Sequence, residues 1–305
     1  MRINASTFAI VLAICSANLG LSACKPVPTS ENAVEEASFS SPRIAVETRG
    51  TGPDVILLPG LGAGPTVWSN LAARLEKTHR VHLIQIAGFA GMPADSSART
   101  DIINGTAAEI SRYITTRKLD KLVLIGHSMG GVIATKFAED HSGQISKLMI
   151  VESFPYSGDI FASGHPERLP AIADQQAKMF SSTKDGAMPP ALSKLLGGMV
   201  TNRVDRDRIM EDARKSDSAV LGEAMRELIL ADLRPGLARI VVPTEVVYVV
   251  PVGSGMTAAQ TDASYRHAYA AVPAITLKRI DNSRHFIMLD QPDEFAAEVK
   301  AFLKR

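Results

Sequence analysis

The sequence predicts an α/β protein: a doubly wound, mostly parallel sheet carrying a helical cap insertion. Three observations support this. Short runs rich in Val, Ile and Leu alternate with segments whose apolar residues recur at helical spacing, the pattern of strands buried on both faces and covered by helices. That rhythm lapses over about residues 154–240 and then resumes, as an insertion within one unit would make it. A Gly-x-Ser-x-Gly turn stands between a strand-like run and a helical one.

The first 24 residues, "MRINASTFAIVLAICSANLGLSAC", place one early cation, Arg2, before an apolar stretch from Phe8 to Ile14 and small residues leading to Cys24. This is the layout of an export signal, too short and too interrupted to span a bilayer as a durable helix. Leu21-Ser22-Ala23-Cys24 resembles the lipobox of bacterial lipoproteins. The resemblance implies removal of residues 1–23, acylation of Cys24, and a lipid-anchored protein on the periplasmic face of a bacterial membrane. Lys25 stands where proteins retained in the inner membrane often carry Asp, which favours the outer membrane. Ordinary cleavage near Ala23 would instead release a soluble periplasmic protein. The two cysteines are Cys15 and Cys24, so on either reading disulfides, thiol catalysis and cysteine metal sites are excluded from the domain.

Residues 24–41 mix Pro, Ser and Glu without an apolar period, as a solvated tether does, which puts the domain at 42–305. Its strand-like runs are "DVILLPG" (54–60), "RVHLIQIAG" (80–88), "KLVLIGHS" (121–128), "KLMIVES" (147–153), "TEVVYVV" (244–250) and "AITLKRI" (274–280), with helical spacing at 106–118 and 131–140. With 46% hydrophobic and 21% charged residues the chain can bury a large core. Lys plus Arg number 33 against 32 Asp plus Glu, a balance without the basic excess that nucleic acid would attract. In the cap, Met179, Met188, Met199, Met210 and Met225 lie near Phe154, Phe161, Phe180, Leu192, Leu195 and Leu196. Such flexible apolar side chains suit an apolar small-molecule substrate, or else form the cap's own core.

The chemistry centres on Gly126-His127-Ser128-Met129-Gly130-Gly131. Between a strand and a helix this spacing makes a nucleophile elbow, a turn so tight that its neighbours must be small, which lifts the Ser128 hydroxyl clear of the sheet. A serine hydroxyl needs a base to take its proton, and the sequence holds seven histidines. His127 is the variable residue of the elbow, His267 lies in a helical segment, and His79, His82, His141 and His165 stand alone among polar or loop residues.

With "LLPGLGAGPTVW" (57–68), "IAGFAG" (86–91) and "DNSRHFIMLDQPDEFAAEVKAFL" (281–303), these residues resemble the small, cap-bearing, esterase-like members of the α/β-hydrolase superfamily over roughly 43–305. The resemblance implies the α/β-hydrolase fold, an oxyanion hole from the backbone N–H groups of Leu61 and Met129, and His285 as base. Pro59 stands where many members have His, leaving the shape of the first oxyanion loop open.

The third catalytic member, an acid that orients the imidazole, is the least defined. Most of the superfamily supplies it after the strand that ends here near Val250, yet Pro251-Val252-Gly253-Ser254-Gly255-Met256 holds no carboxylate. Glu152 is the leading candidate: it ends a core strand directly after apolar residues, where a buried carboxylate needs a partner, and some members place their acid there. Asp262 is the lesser one, with an ordinary reading as an N-cap or first-turn acid. Asp281 and Asp290 flank His285 too closely in sequence to approach its ring from the usual side. The expected function is therefore a serine hydrolase cleaving a carboxylic ester or related acyl bond through an acyl-enzyme on Ser128, without metal or other cofactor. A non-catalytic binding protein that kept the fold and lost the acid is the alternative. Dehalogenase and epoxide hydrolase chemistry is disfavoured, because it needs Asp at position 128.

Overall fold

A computed structural model describes residues 39–305 apart from 163 and 185. The expected signal and acylation at Cys24, and most of the expected tether, fall on positions outside the described residues. Where description begins, Phe39 meets Tyr113 edge-on at 4.9 Å between ring centroids, and Ser40 O accepts from Arg112 at 2.6 Å. The packed chain thus includes residues 39–41, which composition alone assigns to the tether.

Seven strands form one sheet in the order β1-β3-β2-β4-β5-β6-β7. They are β1 (Ile44–Arg49), β2 (Asp54–Leu58), β3 (Arg80–Ile86), β4 (Leu122–His127), β5 (Ile145–Val151), β6 (Thr244–Tyr248) and β7 (Ile275–Arg279). Only β1 runs antiparallel, against β3. All six apolar runs read from the sequence are strands. The seventh, β1, escaped because it is an edge strand with just Ile44 buried, so no continuous apolar run marks it.

The helices are α1 (Ser69–Leu75), α2 (Ile102–Thr116), α3 (Met129–His141), α4 (Gly158–Ala162), α5 (Leu169–Phe180), α6 (Pro190–Gly197), α7 (Arg203–Lys215), α8 (Ser218–Leu230), α9 (Ala258–Ala268), α10 (Ile287–Asp290) and α11 (Pro292–Lys304). Successive strand residues point to opposite faces, and each face has its own core. Ile56, Leu124, Leu148 and Val246 join Ile110 of α2 and Phe137 of α3. Val55, Ile125, Met149 and Val247 join Leu71 of α1 with Phe295 and Phe302 of α11. Truncating a side chain such as Phe137, fully buried, to alanine would cost about 3–5 kcal/mol.

The cap consists of α4 to α8, all between β5 and β6. Asn202 and Asp217 cap the two longest of its later helices: each side chain accepts a backbone N–H from the first turn. The parallel order brings the ends of β4, β5 and β6 to one edge, and there the register sets His127 beside Val151 and Val151 beside Val247.

Candidate active site

Ser128 follows β4 and precedes α3 with φ 53° and ψ −122°. A non-glycine residue here is strained, and its neighbours explain how the turn is held. A Cβ on Gly126 would press into Gly130 O, and one on Gly130 would come within 2.5 Å of Pro59 O. Ser128 N donates to Val151 O at 2.9 Å, and Gly131 N and Val132 N donate to Ser128 O. The small residues of the motif are thus dictated by backbone approaching backbone.

Glu152 occupies the equivalent place at the end of β5, also at positive φ, 49°. Glu152 N donates to Val247 O at 2.8 Å, so the adjacent strand anchors it as β5 anchors Ser128. Its side chain, 11% exposed, has its acceptor sites engaged. Oε2 lies 3.1 Å from His285 Nδ1, and Oε1 accepts from Val249 N at 2.9 Å and from the Tyr265 hydroxyl at 3.1 Å. Burial, with the Glu152 charge beside it, pushes the Tyr265 phenol well above its ordinary value, so it remains a donor. Neither Val249 nor Tyr265 was singled out in the sequence. The loop directly after β6 carries no acid, yet Val249 and, on α9, Tyr265 supply two of the donors that hold one.

Asp262 is placed elsewhere. Its Oδ1 accepts from Tyr248 OH at 3.0 Å and both its oxygens lie 2.7 Å from Arg279 Nη1. Arg279 holds its carboxyl below the ordinary range. Nor does Asp262 cap its helix: Thr257 is the N-cap of α9 and forms a capping box with Gln260, which leaves Asp262 inside the helix. Asp281 pairs with Arg279 at 2.7 Å. Asp290 accepts from Thr201 N and Arg284 N, each at 2.8 Å, tying the cap to the segment that carries His285.

His285, 25% exposed, and Ser128 line one cavity of about 500 Å³ with Gly60 and Leu61. No described hydrogen bond joins Ser128 Oγ to the imidazole, a contact that in free enzymes is often long and tightens on substrate binding. His127 has a different place. Its ring is fully buried, Nε2 donates to His285 O at 2.9 Å, and Nδ1 has no partner among the described residues. Burial, reinforced by neighbouring His285, pushes it well below its ordinary value, so it stays neutral and braces the main chain of His285.

The backbone N–H groups of Leu61 and Met129 are engaged in no described hydrogen bond. The loop that carries Leu61 is held from the cap. Asp212 of α7 accepts from Gly64 N at 3.0 Å, and Ser216, whose hydroxyl donates to Asp212 O at 2.8 Å, accepts from Ala90 N at 2.8 Å. Pro59 is therefore compatible with an ordered loop, because its shape is held through Gly64. Sequence gave no sign of this link.

The cap methionines divide. Met179, Met199 and Met225 line the cavity with Phe161, Phe180 and Leu192, while Met210 is buried in the core and Met188 packs against it. Phe154 stacks on Tyr265 at 4.2 Å. Among the described residues no group of three or more His, Cys, Asp or Glu could hold a metal ion.

A model described as the Alpha/beta hydrolase family matches residues 55–298. Pimeloyl-[acyl-carrier protein] methyl ester esterase of Vibrio vulnificus is 31% identical over 144 residues, 47% of this chain and 54% of that protein. The chain thus spans about half the length of that relative. A thermophilic esterase from Thermogutta terrifontis superposes with a TM-score of 0.71 at 17% identity, over 86% of this chain and 93% of the other. The enol-lactonase of Burkholderia xenovorans gives 0.68 at 20%, over 86% and 96%. At these identities the two structures speak to the fold alone.

Proposed function

The chain belongs to the α/β-hydrolase family, and from that premise we propose that it is a serine hydrolase cleaving a carboxylic ester or related acyl bond. Ser128 attacks the carbonyl while His285 takes its proton, and Glu152 holds the imidazole in the required tautomer and balances its charge. The N–H groups of Leu61 and Met129 receive the oxyanion. His285 then returns the proton to the departing alcohol, and water releases the acyl group from Ser128. The observation that carries this reading is the 3.1 Å contact between His285 Nδ1 and Glu152 Oε2 beside a cavity that also holds Ser128. The resemblance to a methyl ester esterase adds support for an ester, and the aliphatic and aromatic lining adds support for an apolar acyl group.

The test is covalent labelling by a fluorophosphonate together with turnover of a short-chain ester. Labelling is expected in the unmodified protein and absent in Ser128→Ala, with ester turnover lowered by at least about 10³-fold. Labelling that persists in Ser128→Ala, or none in either protein, would favour a non-catalytic binding protein.

The proposal includes a lipid anchor at Cys24 and residence on the periplasmic face of a bacterial membrane, the outer one where there are two. It rests on the lipobox-like Leu21-Ser22-Ala23-Cys24. Expressed with its signal in a bacterial host, the protein should incorporate labelled palmitate and sediment with membranes, and Cys24→Ala should do neither. Palmitate-free protein in the soluble periplasmic fraction would sink the anchor.

A further inference from the structure

The cavity at Ser128 is one of two that meet at the histidine. A second, of about 700 Å³, shares Leu195, Met199 and His285 with the first but includes neither Ser128 nor the oxyanion loop. Their linings differ in charge. Apart from the imidazoles of His127 and His285, the first has no ionisable side chain. The second has Lys194, Arg284 and Glu152.

Lys194, on α6, is exposed and forms no ion pair among the described residues. Arg284 is half-buried and held in place: its Nη1 donates to Gly198 O at 2.7 Å and its backbone N to Asp290. That single side-chain bond leaves most of the guanidinium's donors unused. Glu152 opposes these two cations, but its oxygens already serve Val249, Tyr265 and His285. Two positive charges, that of Arg284 held in place, therefore face this cavity without a dedicated anion.

We propose that the second cavity is the leaving-group subsite, and that it takes an alcohol bearing a carboxylate or phosphate; this rests on the hydrolase reading above. The chemistry fixes which half of an ester lies where. The carbonyl must sit between Ser128 and the N–H groups of Leu61 and Met129, so the acyl chain belongs in the first, apolar cavity. As the Ser128 Oγ–carbon bond forms, the bond from carbon to the alcohol oxygen breaks. The proton taken from Ser128 passes from His285 to that oxygen, which places the departing alcohol against His285. The alcohol oxygen stays beside Ser128, and the rest of the alcohol extends past the shared Leu195, Met199 and His285 into the second cavity, where Lys194 and Arg284 select its charge.

The test compares three hexanoate esters with a common acyl half: those of glycolate, of glycolamide and of 2-hydroxyethyl phosphate. The glycolate and glycolamide esters differ only in a carboxylate against an uncharged amide. In the unmodified protein both anionic esters should exceed the glycolamide ester in kcat/KM by about tenfold, mainly through KM. The advantage should shrink as salt rises. Within each variant the anionic-to-neutral ratio should fall severalfold in Lys194→Ala and approach unity in Lys194→Ala/Arg284→Gln. A ratio near unity in the unmodified protein, or one that Lys194→Ala leaves unchanged, overturns the proposal. So does a methyl hexanoate turned over better than either anionic ester, although the hydrolase reading then stands. Failure to hydrolyse any of the four removes both. Lys194→Ala breaks no described bond, so its ratio is readable even if the double variant misfolds.

Discussion

The two ends of the central strands each carry a largely buried glutamate, and the two are unlike. At the edge where β4, β5 and β6 finish, Glu152 accepts hydrogen bonds from Val249 and Tyr265 and faces His285. Near the opposite edge Glu245, on β6 and fully buried, pairs with Arg305, and its Oε1 has no partner among the described residues. Burial, with Glu298 close by, pushes Glu245 up to about 7, and burial does the same to Glu139. A search for perturbed acids as markers of function would have picked out these two residues, neither of which lines the cavity at Ser128. What separates Glu152 is the set of donors aimed at it and the cavity beside its partner. Burial alone makes a carboxylate unusual without giving it a task.

The sharpest way to break this contrast is to neutralise each acid. Glu152→Gln should lower kcat for an ester by roughly 10⁴-fold, whereas Glu245→Gln and Asp262→Asn should stay within about threefold of the unmodified protein. Steady-state kinetics on all three decides it, and near-normal turnover by Glu152→Gln would remove Glu152 from the mechanism.

A smaller effect is expected at Asp212, which acts on the oxyanion loop through Gly64. Asp212→Ala should reduce kcat by about tenfold with little change in KM, because a displaced N–H weakens the transition state more than substrate binding. Asp212→Asn retains an acceptor oxygen for Gly64 N and should recover most of the loss. Equal losses in the two variants would mean that the carboxylate does something other than hold the loop.

The least effect is on stability. Glu139 and Glu245 have folded values near 7 against an ordinary 4.5, so the folded chain binds their protons more tightly than the unfolded chain does. Their contribution is fully present below about pH 4.5 and is lost as pH rises through 7. Over that interval the melting temperature should fall by a few degrees, and Glu245→Gln should flatten the fall. A profile identical to that of the unmodified protein would show that Glu245 is not a source of the slope.

Much of this molecule could be read from its sequence, for identifiable reasons. Strands covered on both faces, such as β2 and β4, are apolar throughout and stood out, and β7 could be read from its place in the alternation although none of it is buried, whereas β1, buried only at Ile44, could not. The tight turn at Ser128 imposes small residues that can be read directly. Glu152 was legible because a carboxylate ending an apolar run calls for a partner. Its other donors were not, since a backbone N–H on Val249 and a tyrosine on α9 gain significance only through tertiary distance. The same holds for Asp212, 148 residues from Gly64, and for the charge difference between the two cavities. Asp262 looked like an N-cap because nothing in the sequence alone ranked it against Thr257, whose capping box with Gln260 wins.

The rungs that tie Ser128 to Val151 and Glu152 to Val247 have a mechanical consequence. Ser128 and Glu152, the proposed nucleophile and acid, are extensions of the sheet, so thermal motion carries them together and leaves their separation nearly constant. His285 has one brace from the sheet, His127 Nε2 to its carbonyl, but its neighbours are tied elsewhere: Phe286 N donates to Met199 O, Arg284 reaches Gly198 O, and Asp290 accepts from Thr201 N. All three tethers end on the stretch between α6 and α7. A displacement of that stretch would therefore turn the imidazole relative to Ser128 and Glu152, which the sheet holds.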